Sequence, residues 1–392
     1  MKKLIVVLCL IMVVVSIAAC SGGGGGSSET GDSIEPVAEE SDTASESDAE
    51  AAQEEFNFTW TPKGEPTEGV PVVVSEYPTN TKSADDDVEI VFCAKLEGVQ
   101  WFDMIFEGMK QYEESLPHVK VTLASPDVSD AAKQASIIED CIARGVDAIC
   151  VVPVDQDALR PAITKAREAG IVVIMNEGEE LLPIANYNIE TYSHQMLGEA
   201  FGKRLGEELG GKGDWVMMVG GLTQLSHMIW FDVCKSYLAE NYPDIKLVEQ
   251  VPYEDKNDAK VGYDKFKEIL QTHPDLDGFV SATIESLMSA GRYLEEVNKT
   301  DMVIGGLGLP SANGEQLKNG FCQFAICADP YDQGWALAKL AHLVIMGEEI
   351  KAPLNLDRAG YTKCEVWSSG EIFGDEEALI EYTAENVDQY DY

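Results

Sequence analysis

A lysine followed closely by two aromatic residues, Lys95-Leu-Glu-Gly-Val-Gln-Trp-Phe102, sits directly after the apolar run "VEIVFCA". An aromatic face suits the C–H face of a cyclic polar solute, and a lysine supplies a charge-assisted hydrogen bond. Lys95, Gln100, Trp101 and Phe102 are therefore candidate ligand-binding residues. A lysine at the end of a buried run costs little if it faces a wet cleft. Similar groups follow the other apolar runs. Asn176 closes "IVVIMN"; its amide both donates and accepts, which suits hydroxyl recognition. Gln224, Ser226 and His227 follow "WVMMVGG", with Thr223 and Trp230 beside them, and Thr283 and Ile284 follow "GFVSA". Asp329 lies in "CADPYDQG", where its carboxylate could bridge two hydroxyls or cap the helix opening at Pro330. Asp155 and Asp157 come after "DAICVVP", and Asp157 reads as the N-cap of the next helix.

What positions these groups is an alternation of short β-branched runs with stretches of helical period. "DAAKQASIIEDCIAR" (130–144) places Ala131, Ala135, Ile138 and Ile142 on one face. Strands separated by helices of this length argue for right-handed crossovers and parallel sheets covered on both faces, and the strands are apolar throughout, as that burial requires. About nine such units are too many for one small sheet and fit two α/β lobes. In open sheets of this kind ligands bind beyond the carboxyl ends of the strands. That rule selects the candidates above.

Other chemistries are disfavoured. "GEELGGKG" (206–213) has the P-loop spacing but Gly213 in place of the Ser/Thr, and it follows a helix, so it reads as a C-cap and turn. There is no H-E-x-x-H and no G-x-S-x-G, and the adjacent Ser226 and His227 do not make a nucleophile–base pair. No catalytic residue, cofactor or metal is expected, and no enzyme activity. Of the seven cysteines beyond position 20 several stand in apolar contexts, C-x-x-C spacing is absent, and they read as buried thiols, with one disulfide left open. The net charge of −41 argues against nucleic acid and anionic lipid as partners.

The chain opens with two lysines, a long apolar run and "SIAAC", a secretory signal over 1–19. Its Ile17-Ala18-Ala19-Cys20 ending resembles the lipobox of bacterial lipoproteins, which implies cleavage before Cys20 and lipidation of its sulfur. Residues 21–55 hold eleven Asp or Glu and no Lys or Arg, the composition of an extended tether. Residues 56–85 form an extension of unassigned role, with a strand expected near 70–77.

"ARGVDAICVVPVDQDALRPAITKAREAGIVVIMNE" and "FCQFAICADPYDQGWALAKLAHLVIMGEEI" resemble the repeats and the late Asp-Pro hinge of the type 1 periplasmic binding proteins of sugar-type ABC importers. Over 88–392 that resemblance implies two Rossmann-like lobes joined by a three-strand hinge, with crossings near 190, 329–331 and 356–361. The lobes become 86–190 plus 331–356, and 191–330 plus 357–392. It also implies a ligand contact at Asp329. "KLEGVQWFDMIFEGMK" and the ending "AENVDQYDY" are similar to the autoinducer-2 and rhamnose receptors of the family. Against the autoinducer-2 receptors Lys95 matches, while Asn176 stands for an aspartate, Ser226-His227 for Asp-Gln and Ala282-x-Ile284 for Pro-x-Ala. The implied function is capture of a small polar solute, a sugar, by a monomeric lipoprotein on the outer face of the cytoplasmic membrane and its delivery to an ABC permease. The membrane is met only through the lipid. The other implied role is a ligand-sensing co-receptor for a sensor kinase or chemoreceptor.

Overall fold

The computed structural model describes residues 63–390 and Tyr392. The leader, Cys20, the acidic tether and the start of the extension lie outside the described residues. Within 63–392 the chain builds two sheets in succession. The first series runs β1 (Val88–Cys93), α1 (Gln100–Ser115), β2 (Val119–Leu123), α2 (Ala131–Arg144), β3 (Ala148–Val151), α3 (Gln156–Glu168), β4 (Val172–Met175) and β5 (Tyr187–Glu190). The second runs α4 (His194–Glu208), β6 (Lys212–Val219), α5 (Leu225–Asn241), β7 (Asp244–Leu247), β8 (Tyr253–Glu254), α6 (Ala259–Thr272), β9 (Gly278–Ser281), α7 (Ile284–Val297), β10 (Val303–Leu307), α8 (Pro310–Asn319) and β11 (Phe324–Cys327). The chain then returns through α9 (Pro330–Ile345), β12 (Glu365–Val366) and β13 (Glu371–Phe373) to β14 (Ile380–Tyr382).

The first sheet has the order β12-β13-β5-β4-β3-β1-β2, and the second β14-β11-β10-β9-β6-β7, with β8 also on β6. All pairs are parallel except the edge pairs β12–β13 and β11–β14. The central strands β3, β4, β9 and β11 are buried along their whole length, as helices on both faces require. Two cores flank each sheet. Phe92 and Ile174 face one side of the first while Val91 and Val173 face the other. This is the two-lobed α/β fold expected from the alternation of runs.

Local sequence explains the helix boundaries. Asp130 and Asp155 cap α2 and α3 by accepting from the Lys133 and Ala158 backbone N–H at 2.9 and 2.8 Å. Asp157, the expected cap of α3, instead sits within its first turn and pairs with Arg160. The "GEELGGKG" stretch is a helix end and turn: Gly210 and Gly211 take φ of 63° and 84° before β6 begins. The seven described cysteines are free and buried, and burial pushes the Cys93 and Cys322 thiols up to about 12.

Two expectations need correction. No strand forms at 70–77. That stretch is an extended strap held by scattered bonds such as Val72 N–H to the Ile350 carbonyl (2.9 Å) and Tyr187 Oη–H to the Val72 carbonyl (2.5 Å). Second, 357–373 does not belong with the second lobe. β13 pairs in parallel with β5, matching Ile372 with Ile189, and Leu356, Tyr361, Cys364 and Val366 fill the first core. The last passage between the sheets therefore falls between Phe373 and Ile380 rather than at 356–361. Strands of two and three residues carry no periodicity from which this was readable.

Candidate functional site

The site is built where strands of both sheets end. The chain passes between the sheets after β5, after β11 and after β13, and a cavity of about 520 Å³ opens beside those crossings. The first lobe contributes Trp101 from α1, Gln156 from α3, Asn176, Glu177 and Glu179 after β4, Asn188 and Glu190 from β5, Gln333 from α9, and Glu371 and Phe373 from β13. The second contributes His194 from α4, Gln224, Leu225, Ser226, His227 and Trp230 from the start of α5, and Ala328 after β11. Thr191 and Tyr192 line it from the first crossing.

Glu190 is held by three donors. Asn176 Nδ2 donates to it at 2.9 Å, Asn188 Nδ2 at 2.9 Å and the Glu177 backbone N–H at 2.6 Å. Glu177 reaches that geometry by taking φ of 58°, the left-handed region a residue with a side chain rarely enters. Burial, with the Glu177 charge adding to it, pushes the Glu190 carboxyl up to about 8.

The two histidines of the cavity are neutral for geometric reasons. The Gly220 backbone N–H donates to His227 Nδ1 at 3.0 Å, and Trp230 Nε1–H donates to His194 Nδ1 at 3.0 Å. Each Nδ1 is thus an acceptor and the ring proton lies on Nε2. Burial pulls both imidazoles down to about 4. His227 stacks on Trp230 with centroids 5.0 Å apart. Trp101 packs against the cores of both lobes, so it senses their separation.

Of the candidates named from sequence, the structure brings Trp101, Asn176, Gln224, Ser226 and His227 to this cavity. The other six lie elsewhere. Lys95 ion-pairs with Glu177 in an adjoining hollow that shares Gln156 and Glu177 with the cavity. Gln100 is exposed at the start of α1, and Phe102 packs on the first core. Thr283 is buried, capping α7 and donating to Asp255; Ile284 is the first residue of that helix. Asp329 caps α9 through the Tyr331 N–H at 2.8 Å, the capping role weighed for it, and its neighbour Ala328 faces the cavity.

A family model described as a periplasmic binding protein domain matches residues 90–349. This chain belongs to that family. The binding protein is 27% identical over 256 residues to a xylitol-binding protein of Mycolicibacterium smegmatis, covering 62% of this chain and 69% of the relative. It is 30% identical over 184 residues to a D-apiose import binding protein of Paraburkholderia graminis, covering 45% of this chain and 56% of the relative. The match therefore spans little more than half of that protein. A ribose import binding protein of Escherichia coli is 25% identical over 264 residues, covering 66% and 84%.

Solved structures share the fold. A sugar ABC transporter protein from Actinomyces odontolyticus superposes with TM-score 0.72 at 20% identity, covering 80% of this chain and all of that one. LsrB from Clostridium saccharobutylicum in complex with AI-2 gives 0.62 at 20%, covering 78% and all of it. A solute-binding protein of Clostridium phytofermentas with bound L-rhamnose gives 0.62 at 21%, covering 78% and 98%.

In this binding protein the sequence rule missed Asn188, Glu190, Thr191 and Tyr192. "YNIE" (Tyr187–Glu190) is a four-residue strand with polar positions, and applying the strand-end rule to this strand-like segment points to Glu190, Thr191 and Tyr192. Gln333, Glu371 and Phe373 carried no such signal, because they come from a helix and from the late strand β13. Among the described residues no helix is long and apolar enough to cross a membrane.

Proposed function

We propose that the protein is the extracytoplasmic solute-binding lipoprotein of an ABC importer, taking a small polyhydroxylated ligand of the sugar class between its lobes and handing it to the permease. The observation that carries this is the cavity at the strand ends, walled by both lobes and lined by aromatic rings beside amides, carboxylates and neutral imidazoles. The xylitol, apiose and ribose binders among its relatives support the ligand class, and the family supports binding without turnover.

Micromolar affinity needs about −8 kcal/mol. Several hydrogen bonds at about 0.5–1.5 kcal/mol each, with ring contacts from Trp101 or Trp230, supply that. Closure follows because only the closed form lets one ligand touch both walls, so its differential affinity shifts the population.

Thermal unfolding with pentoses, hexoses, deoxysugars, polyols and autoinducer-2 tests the reading. One of these at 100 times its Kd should add about 2.7 kcal/mol of stability. No shift with any of them contradicts a sugar-class ligand. For the anchor, labelled palmitate fed to cells should enter the protein and be lost in Cys20→Ser; label that never appears removes the lipoprotein part alone.

A further inference from the structure

The cavity wall carries four carboxylates among its amides, hydroxyls and ring N–H groups, and among the described residues no cationic side chain. Glu177, Glu179, Glu190 and Glu371 all line it, and of its described lining residues none is lysine or arginine. Lys95, from the adjoining hollow, pairs with Glu177 and offsets that one wall charge, while Lys63 pairs with Glu180 outside the wall, leaving Glu179, Glu190 and Glu371 without an ion pair to any described lysine or arginine. The two histidines are held neutral by the bonds their Nδ1 atoms accept. Gln333 supplies an independent sign. It is 5% exposed, it lines the cavity, and its Oε1 has no hydrogen-bond partner. A buried acceptor without a donor is destabilising unless a ligand provides one.

A neutral polyol brings equal measures of donor and acceptor and leaves the carboxylates facing one another. An ammonium group brings three donors, no acceptor and a compensating charge. Burial and neighbouring carboxylates already hold Glu190 and Glu371 above the usual carboxylate range, a cost that a cation between them would relieve. Trp101, Trp230 and Phe373 give the rest of a ring-shaped ligand its apolar faces, and aromatic faces also attract a cation.

We propose that the ligand is an aminated sugar or aminated cyclic polyol, bound as its ammonium form, with Glu190 and Gln333 among the acceptors of its N–H groups. This rests on the sugar-class reading above and sharpens it.

Calorimetry near neutral pH with matched sets tests it: D-glucosamine, D-galactosamine, D-mannosamine and an amino-deoxy inositol, their neutral parents, and the N-acetyl derivatives of the hexosamines. One amine should bind at least about tenfold more tightly than its neutral parent, the step expected for added charge-assisted bonds, and an N-acetyl form should lose that gain. Glu190→Gln should reduce the preference for the amine to below about threefold, and Glu371→Gln should reduce it in the same direction, with urea unfolding showing that each variant is folded. A neutral parent that binds as tightly as its amine overturns the inference while leaving the sugar-class reading intact. Tight binding of spermidine or lysine with no response to any sugar or polyol, or no binding by any compound, overturns both.

Discussion

Gly334→Ala is expected to cost about 3 kcal/mol of folding free energy, the upper end for overpacking. A Cβ at Gly334 would lie 1.9 Å from the Ile105 carbonyl oxygen, and one at Gly108 would lie 2.0 Å from the Tyr331 carbonyl oxygen. The two glycines let α1 and α9 approach backbone to backbone, and no side-chain rotation can relieve a clash with a carbonyl. Because α1 carries Trp101 and α9 carries Gln333, forcing the helices apart should also weaken ligand binding. Gly314→Ala is the contrast. Its Cβ would meet Val387 at 3.4 Å in a helix interior, so the better helix former should be neutral or gain up to about 1 kcal/mol. Urea unfolding of the two variants checks the pair; equal midpoints would show that the α1–α9 contact is not tight.

The second large effect is expected at Gln134. Its side chain is fully buried, and Nε2 donates to the carbonyls of Val152 (2.9 Å), Ala94 (3.1 Å) and Cys93 (3.3 Å) while Oε1 accepts from the Val154 N–H (2.8 Å). One amide on α2 thus ties together the ends of β1 and β3, where the backbone leaves the sheet and its ladder stops. Gln134→Leu keeps the volume and removes every bond, stranding buried peptide groups at about 1–3 kcal/mol each. A loss of about 4 kcal/mol is the expected sum, because the Cys93 carbonyl keeps the Val152 N–H at 3.0 Å. Gln134→Glu should be nearly as damaging, since a carboxylate cannot donate to carbonyls. A loss below about 1 kcal/mol in urea unfolding would mean that water replaces the amide.

These two positions also show what a single sequence reveals here. The alternation of apolar runs and amphipathic helices specified the two-sheet architecture, because burial on both faces leaves an unbroken apolar signature in strands such as "AICV" and "FAIC". Gln134 had no such signature: it sits on the helix face read as Ala131, Ala135, Ile138 and Ile142, yet the buried positions are Gln134, Ile138 and Cys141. The lining of the candidate cavity was legible wherever a clear strand ended in polar residues, as at Asn176 and at Gln224 to His227. It was hidden where the elements are short or return late in the chain. β5 and β13 bring Glu190 and Glu371 into the wall from positions 181 residues apart in sequence, given by 371 minus 190. Lys95 stands in the adjoining hollow, where its ion pair with Glu177, a partner the strand-end rule does not weigh, offsets its charge.

Closure on the ligand is the claim on which the functional account stands, and small-angle X-ray scattering reads it directly. The protein is measured alone and saturated with whichever sugar-class compound stabilises it most. The radius of gyration should fall beyond experimental error on saturation, and should not change with a compound that does not bind. A tightly bound compound that leaves the radius of gyration unchanged would contradict a cleft that traps its ligand by bringing the lobes together.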